Sequence, residues 1–215
     1  MQFHGVSEYL EDLVVRIDTP SQGDLNITLF DQFIPDTAKL VQFIQITPKL
    51  RGNNEAHVAF HPSSVRLTLP AVSGKGLQVS CEVVDWQVSS MVQVCTSSLS
   101  RLFRATVERL YICDTYAFWR GDIRVEENDW RELLRPFISV KNLYLSHVIV
   151  RRIAPALQEI IGERVAGVLP ALETLFLEDV LILEPFQEAI GSFVSGRQFS
   201  SHPVAVSYWK RKWMY

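Results

Sequence analysis

The chain has 215 residues, 47% of them hydrophobic and 21% charged, which is ordinary globular composition and enough length for one substantial core without disulfides or metals. A formal charge of −3 and a pI near 6.0 argue against nucleic acid or an anionic membrane as partner. The three cysteines, Cys81, Cys95 and Cys113, include no CxxC pair and fit a reduced intracellular protein, cytoplasmic or nuclear, with buried thiols.

The N-terminal stretch MQFHGVSEYLEDL is acidic and has no apolar signal core. A helix is predicted from Ser7 to about Ile17, ahead of the first strand. DLNITLF then sets Leu25, Ile27 and Leu29 in strand alternation, and a helix from Thr37 to Ile46 follows. EAHVAF places Val58 and Phe60 in a second strand, 33 residues after Leu25. VRLTL (Val65 to Leu69) and LQVSC (Leu77 to Cys81) alternate apolar with polar across a glycine-containing turn. They read as an inserted hairpin at about 63–82. A helix from Trp86 to Phe103 leads to VERLYIC, Val107 to Cys113.

Asn128 to Phe137 carries Trp130, Leu133, Leu134 and Phe137 at helical spacing. VKNLYLS follows, Val140 to Ser146. Ile153 to Val165 puts Ile153, Ala156, Leu157, Ile160 and Ile161 on one helix face, and leads to LETLFLE, Leu172 to Glu178. A helix opening at Pro185 carries Phe186, Ala189, Ile190, Phe193 and Val194. VAVSY, Val204 to Tyr208, reads as the last strand. The longest apolar run, Val168 to Phe186, is broken by Glu173, Glu178, Asp179 and Glu184, so no membrane span is expected.

One phrase recurs through this order. VERLYIC, VKNLYLS and LETLFLE share an aliphatic residue, a leucine, an aromatic and another aliphatic. Their central residues Leu110, Leu143 and Leu175 lie 33 and 32 residues apart. A short strand and a helix returning at a near-fixed period predict stacked repeats. The expected fold is α/β: a single leucine-rich-repeat-like solenoid over residues 1–215, about six strand–helix units in all. Its curved, mostly parallel sheet would carry helices on the convex face.

Alternation along the strands assigns the opposite, concave wall. Each leucine faces the helices, so its neighbours face outward. The middle units supply Arg109, Tyr111 and Cys113; Asn142, Tyr144 and Ser146; Thr174, Phe176 and Glu178. Earlier units supply Asp24, Asn26 and Thr28, then His57, Ala59 and His61; the last supplies Ala205 and Ser207. Tyr111, Tyr144 and Phe176 should stack as an aromatic ladder. Arg109, Asn142, Thr174 and Glu178 flank it as polar specificity residues. A solenoid wall of this kind docks partners, and the same ladder equally serves to stabilise the sheet.

Other motifs read as structure. His57 and His61 lack a third ligand for a metal. Ser73-Gly74-Lys75-Gly76 lacks the spacing of a phosphate loop, and no nucleophile elbow is present. Asp122, Glu126, Glu127 and Asp129 precede a helix, where carboxylates suit the dipole. No catalytic residue, metal or cofactor is therefore expected.

The stretches FHGVSEYLEDLVVRIDTP, DTAKLVQFI, EAHVAF, DWQVSSMVQVC, WRELLRPFISVKNLYLS, RIAPALQEIIGERVAGVLPALETLFLED and GRQFSSHPVAVSYW resemble the C-terminal leucine-rich-repeat region of F-box-associated proteins of mushroom-forming fungi. The resemblance covers nearly the whole chain. It implies an adaptor of cullin–RING ubiquitin ligases, in which an N-terminal F-box binds the ligase's linker protein and the repeats hold the substrate. This chain is expected to depart from that pattern, because a repeat helix is expected almost at once, with no F-box expected ahead of it. The linker protein is expected as a partner only if an F-box lies upstream. The leading expectation is a non-enzymatic protein-binding module; the alternative is a stand-alone scaffold or a competitor without a ligase role. The Leu25 strand, as an uncapped edge, is expected to promote self-association.

Overall fold

The computed structural model describes residues 2–5, 25–29, 41–42, 44–45, 54–71, 76–82, 87–97, 99–114, 127–160, 167–178 and 184–211. The described strands are β1 (Gln2–Gly5), β2 (Leu25–Leu29), β3 (Glu55–His61), β4 (Ser64–Pro70), β5 (Gly76–Cys81), β6 (Arg109–Asp114), β7 (Asn142–Leu145), β8 (Thr174–Glu178) and β9 (Ala205–Trp209). The described helices, numbered within this set, are α1 (Gln87–Thr96), α2 (Ser100–Thr106), α3 (Glu127–Leu134), α4 (His147–Glu159) and α5 (Glu184–Phe199).

The fold is α/β, built on one nine-stranded sheet ordered β1-β2-β5-β4-β3-β6-β7-β8-β9. Among the described strands it is mostly parallel, and only the β3–β4 and β4–β5 pairs are antiparallel. The recurring leucines meet in register, Leu110 beside Leu143 beside Leu175. All three are fully buried. Residues on this face alternate with half-buried ones along β3, β7 and β8, as a face turned toward helices requires.

The helices close that face with aromatic and aliphatic side chains. Trp130 of α3 packs on Phe60 of β3, ring centroids 5.6 Å apart. Phe103 of α2 stacks on Phe137 at 5.2 Å. Ile149, Val150, Ile153 and Leu157 of α4 are buried, as are Ala189, Ile190 and Phe193 of α5. One contiguous cluster of buried side chains runs from Leu25 to Val204.

Several expectations need correction. β1 precedes the Leu25 strand and pairs with it in parallel, so that strand is interior and not an open edge. The hairpin exists, but both its strands lie within the sheet, separating β2 from β3. Gly76 is required where the hairpin closes, because a Cβ there would collide with the Leu69 carbonyl. The single helix expected from Trp86 to Phe103 is two. Ser97 ends the first: its hydroxyl donates to the Val94 carbonyl at 2.7 Å and accepts the Leu99 N–H at 3.3 Å, replacing helical bonds with local ones. α3 stops at Leu134, where the Phe137 N–H turns back to the Leu134 carbonyl at 3.1 Å. α4 begins at His147, well before Ile153, and directly after β7.

Of the helix expected over Thr37–Ile46, residues 41, 42, 44 and 45 are described and helical. The helix expected from Ser7, Asp24, Ser73 to Lys75, Trp86, Asp122, Glu126 and Ile161 to Val165 lie outside the described residues. Among the described residues, no helix is long and apolar enough to cross a membrane.

Candidate functional site

The face of the sheet opposite the helices carries rows of side chains set by strand register. The central row runs Asn26, Gln78, Thr68, His57, Tyr111, Tyr144, Phe176, Ser207. Its chemistry changes midway, from amides and a hydroxyl to rings. His57 stacks on Tyr111 at 4.5 Å and 6°, Tyr111 on Tyr144 at 4.2 Å and 12°, and Tyr144 on Phe176 at 4.4 Å and 8°. The spacing follows from parallel strands in register, which hold equivalent side chains about 4.8 Å apart. Tyr111, Tyr144 and Phe176 therefore form the expected ladder, and His57 extends it by one ring. Burial, followed by the neighbouring Tyr144, pushes the Tyr111 hydroxyl up to about 12.

The row on the N-terminal side aligns Glu55, Arg109, Asn142, Thr174 and Ala205. Arg109 is held by this wall: one guanidinium nitrogen lies 2.8 Å from Glu55 Oε1 and donates to Asn54 Oδ1 at 2.8 Å. Glu55 also accepts from His57 Nε2 at 3.4 Å. Burial lowers the His57 pKa despite that carboxylate. The two rings expected to be plain wall histidines differ: His57 is in the ladder, whereas His61 sits at the strand end opposite Ser64. Glu108 and Lys141 pair just outside this row at 3.0 Å.

The row on the C-terminal side is a tighter polar knot. Asp114 and Ser146 are buried. The Ser146 hydroxyl donates to Asp114 Oδ1 at 3.0 Å and accepts the Asp114 N–H at 3.1 Å. Glu178 Oε2 accepts the first N–H of α4, from His147, at 2.9 Å, where the helix dipole favours a carboxylate. Arg211 Nη2 donates to the same Glu178 oxygen at 3.0 Å and lies 3.5 Å from Asp114 Oδ1. Its Nη1 donates to the Asp114 carbonyl oxygen. Cys113 faces this side but is buried, and burial pushes its thiol up to about 12. A thiol held protonated is a poor nucleophile.

Trp209 links the knot to the ladder. Its ring meets Tyr144 edge-on at 5.5 Å and 80°, and Tyr111 at 5.9 Å and 68°. Its Nε1 donates to the Leu145 carbonyl at 3.2 Å. All seven expected site residues share this face: Arg109, Tyr111, Asn142, Tyr144, Thr174, Phe176 and Glu178, each half-buried. Arg109 and Glu178 spend their charges on internal partners, while the three rings, Asn142 and Thr174 form the span between them. Trp209, Arg211 and Asp114 were not anticipated. The signal for Trp209 was available, since it continues the alternation that had placed Ala205 and Ser207.

Comparison of the chain with protein-family models, with curated proteins and with solved structures finds no match in any of the three.

Proposed function

We propose that this chain is a leucine-rich-repeat-like solenoid that binds a protein partner on its strand face, as the substrate-recognition part of an F-box-type ubiquitin-ligase adaptor. The observation that carries the binding reading is the four-ring stack His57–Tyr111–Tyr144–Phe176. A row of rings rising from neighbouring strands supplies rigid, amphipathic contact area at low entropic cost. Asn142 and Thr174 beside it offer hydrogen-bonding groups that can select among partners. The role is binding without chemistry, in an intracellular setting. The ligase assignment rests on the family resemblance of the sequence, and the linker protein would be engaged only through an F-box upstream.

A second reading is favoured by a separate observation. Arg109 and Glu178 are engaged by internal partners, and Trp209 lies against the ladder. A wall so engaged also suits a stand-alone scaffold whose ladder chiefly stabilises the sheet.

The test is capture of partners from a lysate by the full chain and by Tyr111→Ser/Tyr144→Ser. Loss of specific partners from a variant that remains folded supports docking on the wall. An unchanged partner set with unchanged folding removes it. Co-purification of a ligase subunit with the natural gene product separates the adaptor from the scaffold.

A further inference from the structure

We propose that the C-terminal edge strand is a tethered ligand of the wall. The ligand taken in trans would then be an extended protein segment carrying an aromatic side chain and, two residues later, an arginine. This deepens, and rests on, the binding reading above.

Among the described residues, β9 is the last strand of the sheet and is held along one side only. Its residues facing the helix side are poorly covered. Val206 is 39% exposed and Tyr208 64%, although their register partners Leu175 and Leu177 are buried. The apolar contacts that fix β6, β7 and β8 therefore contribute little to β9. Beyond its ladder with β8, its ties lie on the wall. Trp209 reaches past β8 to meet Tyr144 and Tyr111, and its indole N–H is taken by the Leu145 carbonyl. Arg211 reaches both carboxylates of the knot, Glu178 and Asp114.

The two side chains belong to one short stretch, with only Lys210 between them. Together they display the chemistry the wall accepts: a ring edge-on to the tyrosines, an N–H donor beside it, and a guanidinium against two acids. The knot remains acid-rich with Arg211 in place, and the buried Asp114 carboxylate keeps Oδ2 without a hydrogen-bond partner. This charge balance favours a cationic segment over an acidic one.

Tethering sets the size of the effect. A segment attached to its own site has an effective concentration on the order of millimolar. A free peptide with an intrinsic Kd of about 0.1 mM is then weakened roughly tenfold by the resident one.

The probe is a fluorescein-labelled peptide of residues 205–211, titrated by anisotropy against the full chain and its Trp209→Ala/Arg211→Ala variant. The expected result is binding to the variant roughly tenfold tighter than to the unaltered chain, and loss of that binding when the peptide carries R211E. A folded variant that binds no peptide, or binds it no more tightly than the unaltered chain does, overturns the proposal. If the double variant loses its cooperative thermal transition, Arg211→Gln alone must still tighten peptide binding about threefold, and no change overturns the proposal. Peptide binding that persists while Tyr111→Ser/Tyr144→Ser loses no cellular partner keeps the tethered strand and removes partner docking together with the ligand in trans. Loss of partners without peptide binding removes this inference alone.

Discussion

Ser146 and Asp114 hold each other twice: the Asp114 N–H donates to Ser146 Oγ at 3.1 Å, and that hydroxyl donates to Asp114 Oδ1 at 3.0 Å. Both residues are buried. The exchange ties the C-terminal end of β6 to the point where β7 turns into α4. The hydroxyl does not cap the helix it precedes, so its role is this tie. Ser146→Ala leaves a buried carboxylate oxygen and a buried N–H without their partner. The expected loss is about 2 kcal/mol, or a fall in Tm of roughly 4–8 °C for a chain of this size. Urea titration with an unchanged m-value checks it, and a loss below about 0.5 kcal/mol rejects the tie.

The stacking of Tyr111 on Tyr144 predicts a coupling energy. Each tyrosine changed to leucine loses its ring contacts, but the second change costs less once the first has removed their shared contact. A double-mutant cycle should give about 1 kcal/mol of interaction. Additive losses would mean that the rings merely neighbour one another.

Arg197 of α5 is almost fully buried and donates to the Leu169 and Leu172 carbonyls at 3.1 and 3.3 Å. Leu169 has a φ of 49°, a left-handed conformation that a side-chain-bearing residue adopts at a cost. The guanidinium thus clamps the strained turn that delivers the chain into β8. Arg197→Met should cost about 2–3 kcal/mol by releasing both carbonyls. Arg197→Lys should recover less than half of that, since one nitrogen makes both bonds but an ammonium is more strongly hydrated and gives up the guanidinium's place over the Phe193 ring, 5.9 Å from its centroid. Full recovery by lysine in a chemical-denaturation series would show that the charge, and not the guanidinium plane, is what matters.

Burial pushes the Cys81 and Cys113 thiols up to about 12. The unfolded chain ionises these groups at their ordinary value near 9, while the folded chain keeps them protonated. Their contribution to stability is complete below about pH 9 and is lost as pH rises toward 12. The fall should reach about 1.4 kcal/mol per pH unit for each thiol. Cys81→Ala/Cys113→Ala should make the fall between pH 9 and 11 shallower by the share of these two thiols, the fully buried Cys95 thiol, also pushed up by burial, keeping its own, and parallel stability curves for the two proteins would reject the assignment.

The strands were legible where two signals agreed, alternation at period two and the returning phrase around Leu110, Leu143 and Leu175. Those signals also located the ladder, because register follows once equivalent leucines align. β1 was hidden because Gln-Phe-His-Gly, with one apolar side chain, is too short to show a period. The hairpin was visible as two strands, but its alternation fits a ribbon beside the sheet as well as a place within it. Only the pairing of Leu25 with Leu77, in place of a partner in β3, decides between them. The early start of α4 escaped because its N-terminal acceptor, Glu178, is supplied from the next unit. Arg211 escaped for a similar reason: its carboxylates come from β6 and β8.

The hairpin has a consequence for how such a sheet can grow. β5 runs with β2, β4 runs against it, and β3 runs with it again. A pair of inserted strands hands the chain back pointing the way it came, so β6 to β9 keep their direction and their helices keep their side. A single added strand would invert everything after it. Parity, more than length, therefore limits what can be spliced into this sheet. Each extra pair would lengthen the rows by roughly 10 Å and leave the aromatic half untouched.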